Sequence, residues 1–222
     1  MLETLLTRWQ LLAARERRAV IGAAALLAVV LAWLLLFEPA WQARAALQGE
    51  LPTLRVQLAR IDALAEEATA RIVGELGMGY TVWHDVAADP RDPELKVDHI
   101  VLGPSGLYAL LSEDFGGPVR LRRGELIGDG VTGSPIADVV AGARAIARAA
   151  RVKFSGVIVV LPDDDVATAI DEIGKVCGLP VAVVARSALA TVLRRGITGA
   201  RDIGGNELFD IRTRLQQVVR FV

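Results

Sequence analysis

Residues 97–111 read VDHIVLGPSGLYALL. Two runs rich in β-branched, aromatic and leucine side chains, 97–102 and 107–111, flank Gly103-Pro104-Ser105-Gly106, a tight-turn composition. The stretch is therefore a strand, a turn and a strand. Upstream, 80–86 (YTVWHDV) reads as a further strand, followed by a loop holding Pro90 and Pro93. Downstream, Gly116-Gly117 leads into a short strand at 119–122, a turn at Arg123-Gly124 and another short strand at 125–127. Ser134-Pro135 then opens an Ala/Val-rich helix over 136–150, since proline fits the first helical turn. The continuous apolar run 156–161 (GVIVVL) predicts a strand buried on both faces. The spacing beyond it predicts a helix over 166–176, a strand over 181–185, a helix over 188–195 and a terminal helix over 207–219. The fold class of 71–222 is α/β, a sandwich of helices on a sheet.

The first third of the chain is of another kind. Residues 19–37 (AVIGAAALLAVVLAWLLLF) carry no charge and no proline, between Arg17-Arg18 and Glu38-Pro39. As a helix they would measure roughly 28 Å, the thickness of a bilayer's hydrocarbon core. The run lacks the small-residue exit of a cleaved signal peptide, so it reads as a retained, single-pass anchor. Before it, 1–18 reads as an amphipathic segment with Leu2, Leu5, Leu6, Trp9 and Leu12 at helical spacing. Arg8, Arg15, Arg17 and Arg18 precede the anchor, whereas only Arg44 and Arg55 follow it closely. The positive-inside bias puts the N-terminus in the cytoplasm and the C-terminal domain in the periplasm of a bacterial inner membrane. A juxtamembrane helix follows over 38–70. Leu47, Leu51, Leu54, Leu58 and Ile61 recur in it at a 4-3-4-3 spacing, the seam of a heptad repeat. Such a helix either packs on its own domain or forms a coiled-coil homodimer, and Pro52 is expected to bend or restart it.

Composition narrows the functions. A net charge of −1 argues against a protein held to nucleic acid by bulk charge. The single cysteine, Cys177, excludes an intramolecular disulfide and a cysteine-based zinc site. Arg144, Arg148 and Arg151 form an i, i+4, i+7 stripe with Lys153 beyond, either a solvated face or contacts to phosphate. Arg120, Arg122 and Arg123 form a second basic group. Residues 128–133 (GDGVTG) match G-x-G-x-x-G literally, but the short strand before them and Pro135 after them favour a flexible loop entering a helix. Asp163, Asp164 and Asp165 are expected to cap the helix that follows them. His84 and His99 read as core or rim histidines, and Ser112, Ser134 and Cys177 have no nucleophile context.

Two resemblances add to this reading. Trp9, the ARERR block at 14–18, the anchor and 37–68 (FEPAWQARAALQGELPTLRVQLARIDALAEEA) together resemble the type II secretion system M protein. That family is an inner-membrane component of the secretion assembly platform, so the resemblance implies a membrane protein with protein partners. Family members continue into a small ferredoxin-like domain, which this chain does not resemble.

The segments 79–86, 97–110, the Gly116-Gly117 bend, 156–161 and 180–195 resemble the nuclease-related domain, a branch of the PD-(D/E)xK nuclease fold. The Asp98–Gly106 run is its most specific piece. The resemblance implies an Asp and a Glu on successive strands holding one metal ion, with a Lys two residues past the Glu. Asp98 fills the first place, Leu111 stands where the Glu belongs and Glu113 where the Lys belongs. A helix glutamine of the family falls on Asp138, and a first-helix glutamate on Glu66 or Glu67. The resemblance thus implies a catalytically degenerate head with no cofactor. Magnesium enters only if Asp98, Glu113 and Asp114 serve as relocated catalytic and metal-binding groups.

Overall fold

The structure, a computed structural model, describes residues 13–89, 91–92, 95–122, 125–197 and 202–222. Side chains at 14, 17, 20, 34–51, 53–55 and 172–173 also lie outside the description. The amphipathic segment expected over 1–12, the turn at Arg123-Gly124, and the seam residues Leu47, Leu51 and Leu54 fall among these positions. The chain divides into two compact units, Met1–Leu58 and Ala59–Val222.

The first helix, α1, runs over Ala14–Gly74 without a break. Pro39 and Pro52 both lie inside it. The expected restart at Pro52 does not occur: one lost amide bond is outweighed by the Ala-, Leu-, Gln- and Arg-rich turns on either side. Within the expected span, Ile21, Leu26, Leu27, Val29, Val30 and Leu31 are all exposed. Among the described residues, no helix is long and apolar enough to cross a membrane. The side chains of 34–37, which complete the apolar run, lie outside the described residues.

The second unit is a mixed seven-stranded sheet with helices on both faces. Its strands are β1 (Thr81–Ala87), β2 (Val97–Gly103), β3 (Gly106–Ser112), β6 (Gly156–Leu161), β7 (Ile170–Val176), β8 (Leu179–Ala185) and β9 (Arg220–Phe221). The order across the sheet is β7-β8-β6-β3-β2-β1-β9. Strands β1, β2 and β3 form an antiparallel meander; β6 then joins β3 in parallel, and β8 joins β6 in parallel. Strands β4 (Arg120–Arg122) and β5 (Glu125–Ile127) make a separate hairpin. The parallel step from β3 to β6 needs a crossover, which α2 (Pro135–Ala150) supplies.

One face of the sheet buries Ile100, Leu107, Ala109, Val157 and Val159 against Ile136, Val140, Ala143 and Ile146 of α2 and Leu215 of α4 (Gly205–Val218). The other buries Val101, Tyr108, Leu110, Ile158 and Val160 against Val73 of α1 and Leu189, Val192 and Leu193 of α3 (Leu189–Arg195). The all-buried patterns of β2 and β6 follow from this double covering.

The helix expected over 166–176 is a strand, β7, antiparallel to β8. Its cause is turn chemistry: Val176 pairs with Leu179, and the two residues between, Cys177 and Gly178, have φ of 49° and 87°. Two successive positive φ values make the primed turn that closes a tight hairpin. Asp163–Asp165 form a single 3-10 turn rather than the cap of that helix. Asp163 Oδ1 instead accepts the Ser187 amide at 2.9 Å, in the 3-10 turn that leads into α3. That bond holds the Asp163 carboxyl below its ordinary range.

Two of the GDGVTG glycines have a packing cause. A Cβ on Gly130 would fall on the Phe115 carbonyl oxygen, and one on Gly128 would crowd Pro118. The loop lies against the 115–119 backbone.

A candidate functional site where the sheet opens

Asp98 is the pivot. In the β1–β2 ladder His84 pairs with His99 and Val86 with Val97, while Asp85 and Asp98, which face each other between them, make no ladder pair. In the β2–β3 ladder pairing ends at His99 and Leu110. Beyond that point the Ser112 amide donates to Asp98 Oδ2 at 2.8 Å, so the side chain takes the place of the strand. Both neighbouring ladders are therefore open at one buried carboxylate. Asp85 has a φ of 50°, a left-handed backbone that aspartate tolerates better than most residues.

Lys96 fills the opening. Its Nζ lies 2.8 Å from Asp85 Oδ1, 3.1 Å from Glu66 Oε1 on α1 and 3.6 Å from Asp98 Oδ1. Burial alone would lower the ammonium's pKa, but the hydrogen bond to Asp85 and the charges of Asp98 and Glu66 outweigh it and raise it. Asp98 is pushed up to about 6, chiefly by burial, with the Ser112 amide opposing. Glu113 follows β3, where its amide donates to the Val160 carbonyl at 3.2 Å. Burial pushes its carboxyl up to about 7, and the charges of Asp62, Asp98 and Glu66 add to this. Asp62, also on α1, is raised by burial and by Asp114. The site is thus a crowd of carboxylates from α1, β1, β2 and the end of β3 around one ammonium.

The structure brings Asp98, Glu113 and Glu66 into one electrostatic neighbourhood and leaves other candidates out. Leu111 packs on the hydrophobic cluster beneath α2. Asp114 Oδ1 accepts the Gly116 amide at 3.0 Å, closing the Gly-Gly bend. Glu67 pairs with Arg71 on the exposed side of α1 at 3.4 Å. Asp138 is exposed in the first turn of α2. Among the described residues no three acids, histidines or cysteines group so as to hold a metal ion. Lys96 lies among the carboxylates of the site and supplies positive charge there.

His84 and His99, which share no ligand spacing in the sequence, prove to be cross-strand partners. Their Nδ1 atoms lie 2.8 Å apart and their rings meet edge to face. Only one of the two Nδ1 atoms can carry hydrogen in such a contact. Burial, then His84, lowers the His99 pKa to about 4, so the buried ring is neutral.

Arg144, Arg148, Arg151 and Lys153 are all exposed, as are Arg120 and Arg122. Of the seam, Leu58 is 60% and Ile61 38% exposed. The same 4-3 stripe continues through Ala65, Ala68 and Ile72, and there it turns inward: Ala65 is buried and Ile72 packs on the core beside α3. The residues that sequence reasoning missed are Lys96, Asp85 and Asp62. Lys96 directly precedes β2, outside the run whose alternation could have signalled it.

No curated protein and no solved structure matches this chain. Residues 4–71 match the family described as Type II secretion system (T2SS), protein M transmembrane region, and over that first third the chain is similar to it.

Proposed function

We propose that the chain is a single-pass inner-membrane component of a type II secretion assembly platform, acting by binding protein partners. The match over 4–71 supports this reading, as do the exposed apolar residues of 21–31, a surface suited to lipid. The N-terminus faces the cytoplasm and the α/β unit the periplasm. The exposed part of the seam, with Leu58 and Ile61 at its described end, is the surface for a second copy or a partner helix. The α/β unit is a nuclease-like head without catalysis, a reading supported by its order of helix, three antiparallel strands, crossover helix and parallel strand.

One observation carries the absence of catalysis. Leu111, which stands where the resemblance implies a metal-binding Glu, packs on the hydrophobic core and has no group that could hold a cation. Full-length protein in detergent, incubated with supercoiled or linear DNA and magnesium or manganese, is expected to leave the DNA intact. A second reading, a membrane-tethered metal-dependent nuclease or nucleic-acid binder, draws on the convergence of Asp98, Glu113 and Glu66. Sustained cleavage abolished by Asp98→Ala would replace the first reading with it.

A further inference from the structure

Away from the carboxylate cluster, a cleft of about 430 Å3 lies between the link from α2 to β6, the β7–β8 turn and one face of α4. Arg151, Lys153 and Lys175 stand on the first two walls. Among the described residues none of the three forms an ion pair. Glu207, Asp210, Ile211 and Arg214 line the third wall at i, i+3, i+4 and i+7, the spacing of one helical face. Arg214 donates from Nη1 to the Arg151 carbonyl at 3.2 Å, tying the walls together. Arg151 has a φ of 53°, at the helix end where glycine is the usual residue. Val152, Leu179, Pro180 and Ile211 are half-buried and give the cleft an apolar lining.

We propose that this cleft binds a small organic anion, a single phosphate or carboxylate carried on an apolar body. The anionic group sits at Arg151, Lys153 and Lys175, where cations lack described acidic partners, and the apolar body rests on Leu179 and Ile211. Asp210 on the facing wall repels a second anionic group. That selects against extended polyanions such as nucleic acid, although two of the cations belong to the stripe that invited a phosphate reading.

Phenyl phosphate is the probe, titrated calorimetrically into the full-length protein in a non-ionic detergent. Saturable 1:1 binding is expected, roughly tenfold tighter than that of inorganic phosphate, because only the former covers the apolar lining. Arg151→Gly removes the guanidinium while relieving the left-handed backbone, so it lowers affinity without threatening the fold. Combined with Lys153→Gln it should weaken binding by at least about tenfold. Dihexanoyl phosphatidate, monomeric in solution, distinguishes the source. Tighter binding than phenyl phosphate assigns a lipid headgroup, and weaker binding a soluble metabolite. No saturable binding, equal binding by the double variant, or preference for a duplex oligonucleotide would overturn the proposal.

Discussion

Lys96 serves three carboxylates at once, and its loss should be felt through all of them. Lys96→Met keeps the stem and removes the charge, leaving Asp98 buried beside Glu66 and Asp85 with no cation. Breaking a fully buried pair costs about 3–5 kcal/mol, but Lys96 is a third exposed, so about 1–3 kcal/mol is expected in chemical denaturation. The acids also set a pH dependence. The folded pKa values of Asp98 and Glu113, about 6 and about 7, lie above those of unfolded carboxylates. The folded protein therefore binds more protons than the unfolded chain across that interval, and this contribution is lost as pH rises through the folded values. His99 works the other way, gaining stability as pH rises from about 4 toward its unfolded value of 6.5. The two trends oppose each other below that value. From about pH 6.5 to 7.5 the His99 gain fades, the losses at Glu113 and Asp98 outweigh it, and stability should fall with rising pH. Denaturation midpoints across that range should show the decline, and Glu113→Gln should flatten it. An unchanged slope in the variant would mean that Glu113 titrates normally.

Among the elements, α1 has two kinds of surface along one stripe. From Ala65 onward the stripe is covered by its own unit, whereas Leu58 and Ile61 are exposed. Charged residues at Leu54 and Leu58 would face one another in a coiled-coil dimer, so Leu54→Lys with Leu58→Lys should lower the mass of the detergent-solubilised species by light scattering. An unchanged mass would exclude self-association through this seam. The elements also show what was legible in the sequence. The meander β1–β3, α2 and β6 were readable because their periods, the Gly-Pro-Ser-Gly turn and Pro135 agree with one another. Strand β7 was not, because its identity depends on Cys177 adopting a left-handed conformation more typical of asparagine or glycine. The turn at Ser105 looks like a surface feature by composition, yet Ser105 is buried and its hydroxyl donates to the Leu193 carbonyl of α3. The candidate site was half readable. Asp98 follows from the resemblance of its strand, but the Asp85–Asp98 opposition depends on ladder register, which composition does not give.

For the whole molecule, the side of the membrane that the α/β unit occupies decides between the two functions. Arg15, Arg17 and Arg18 precede the apolar run, and each arginine on the cytoplasmic side gains about 1 kcal/mol from the anionic leaflet. Arg44 and Arg55 oppose them from farther along the chain. The protein carries its own reporter, since its single cysteine, Cys177, is exposed in the β7–β8 turn. The decisive measurement is labelling of Cys177 by a membrane-impermeant maleimide in intact spheroplasts, with Cys177→Ser as the blank. A periplasmic head predicts labelling before lysis, at the level reached after it. Labelling only after the membrane is broken would put the head in the cytoplasm and contradict the secretion-platform reading.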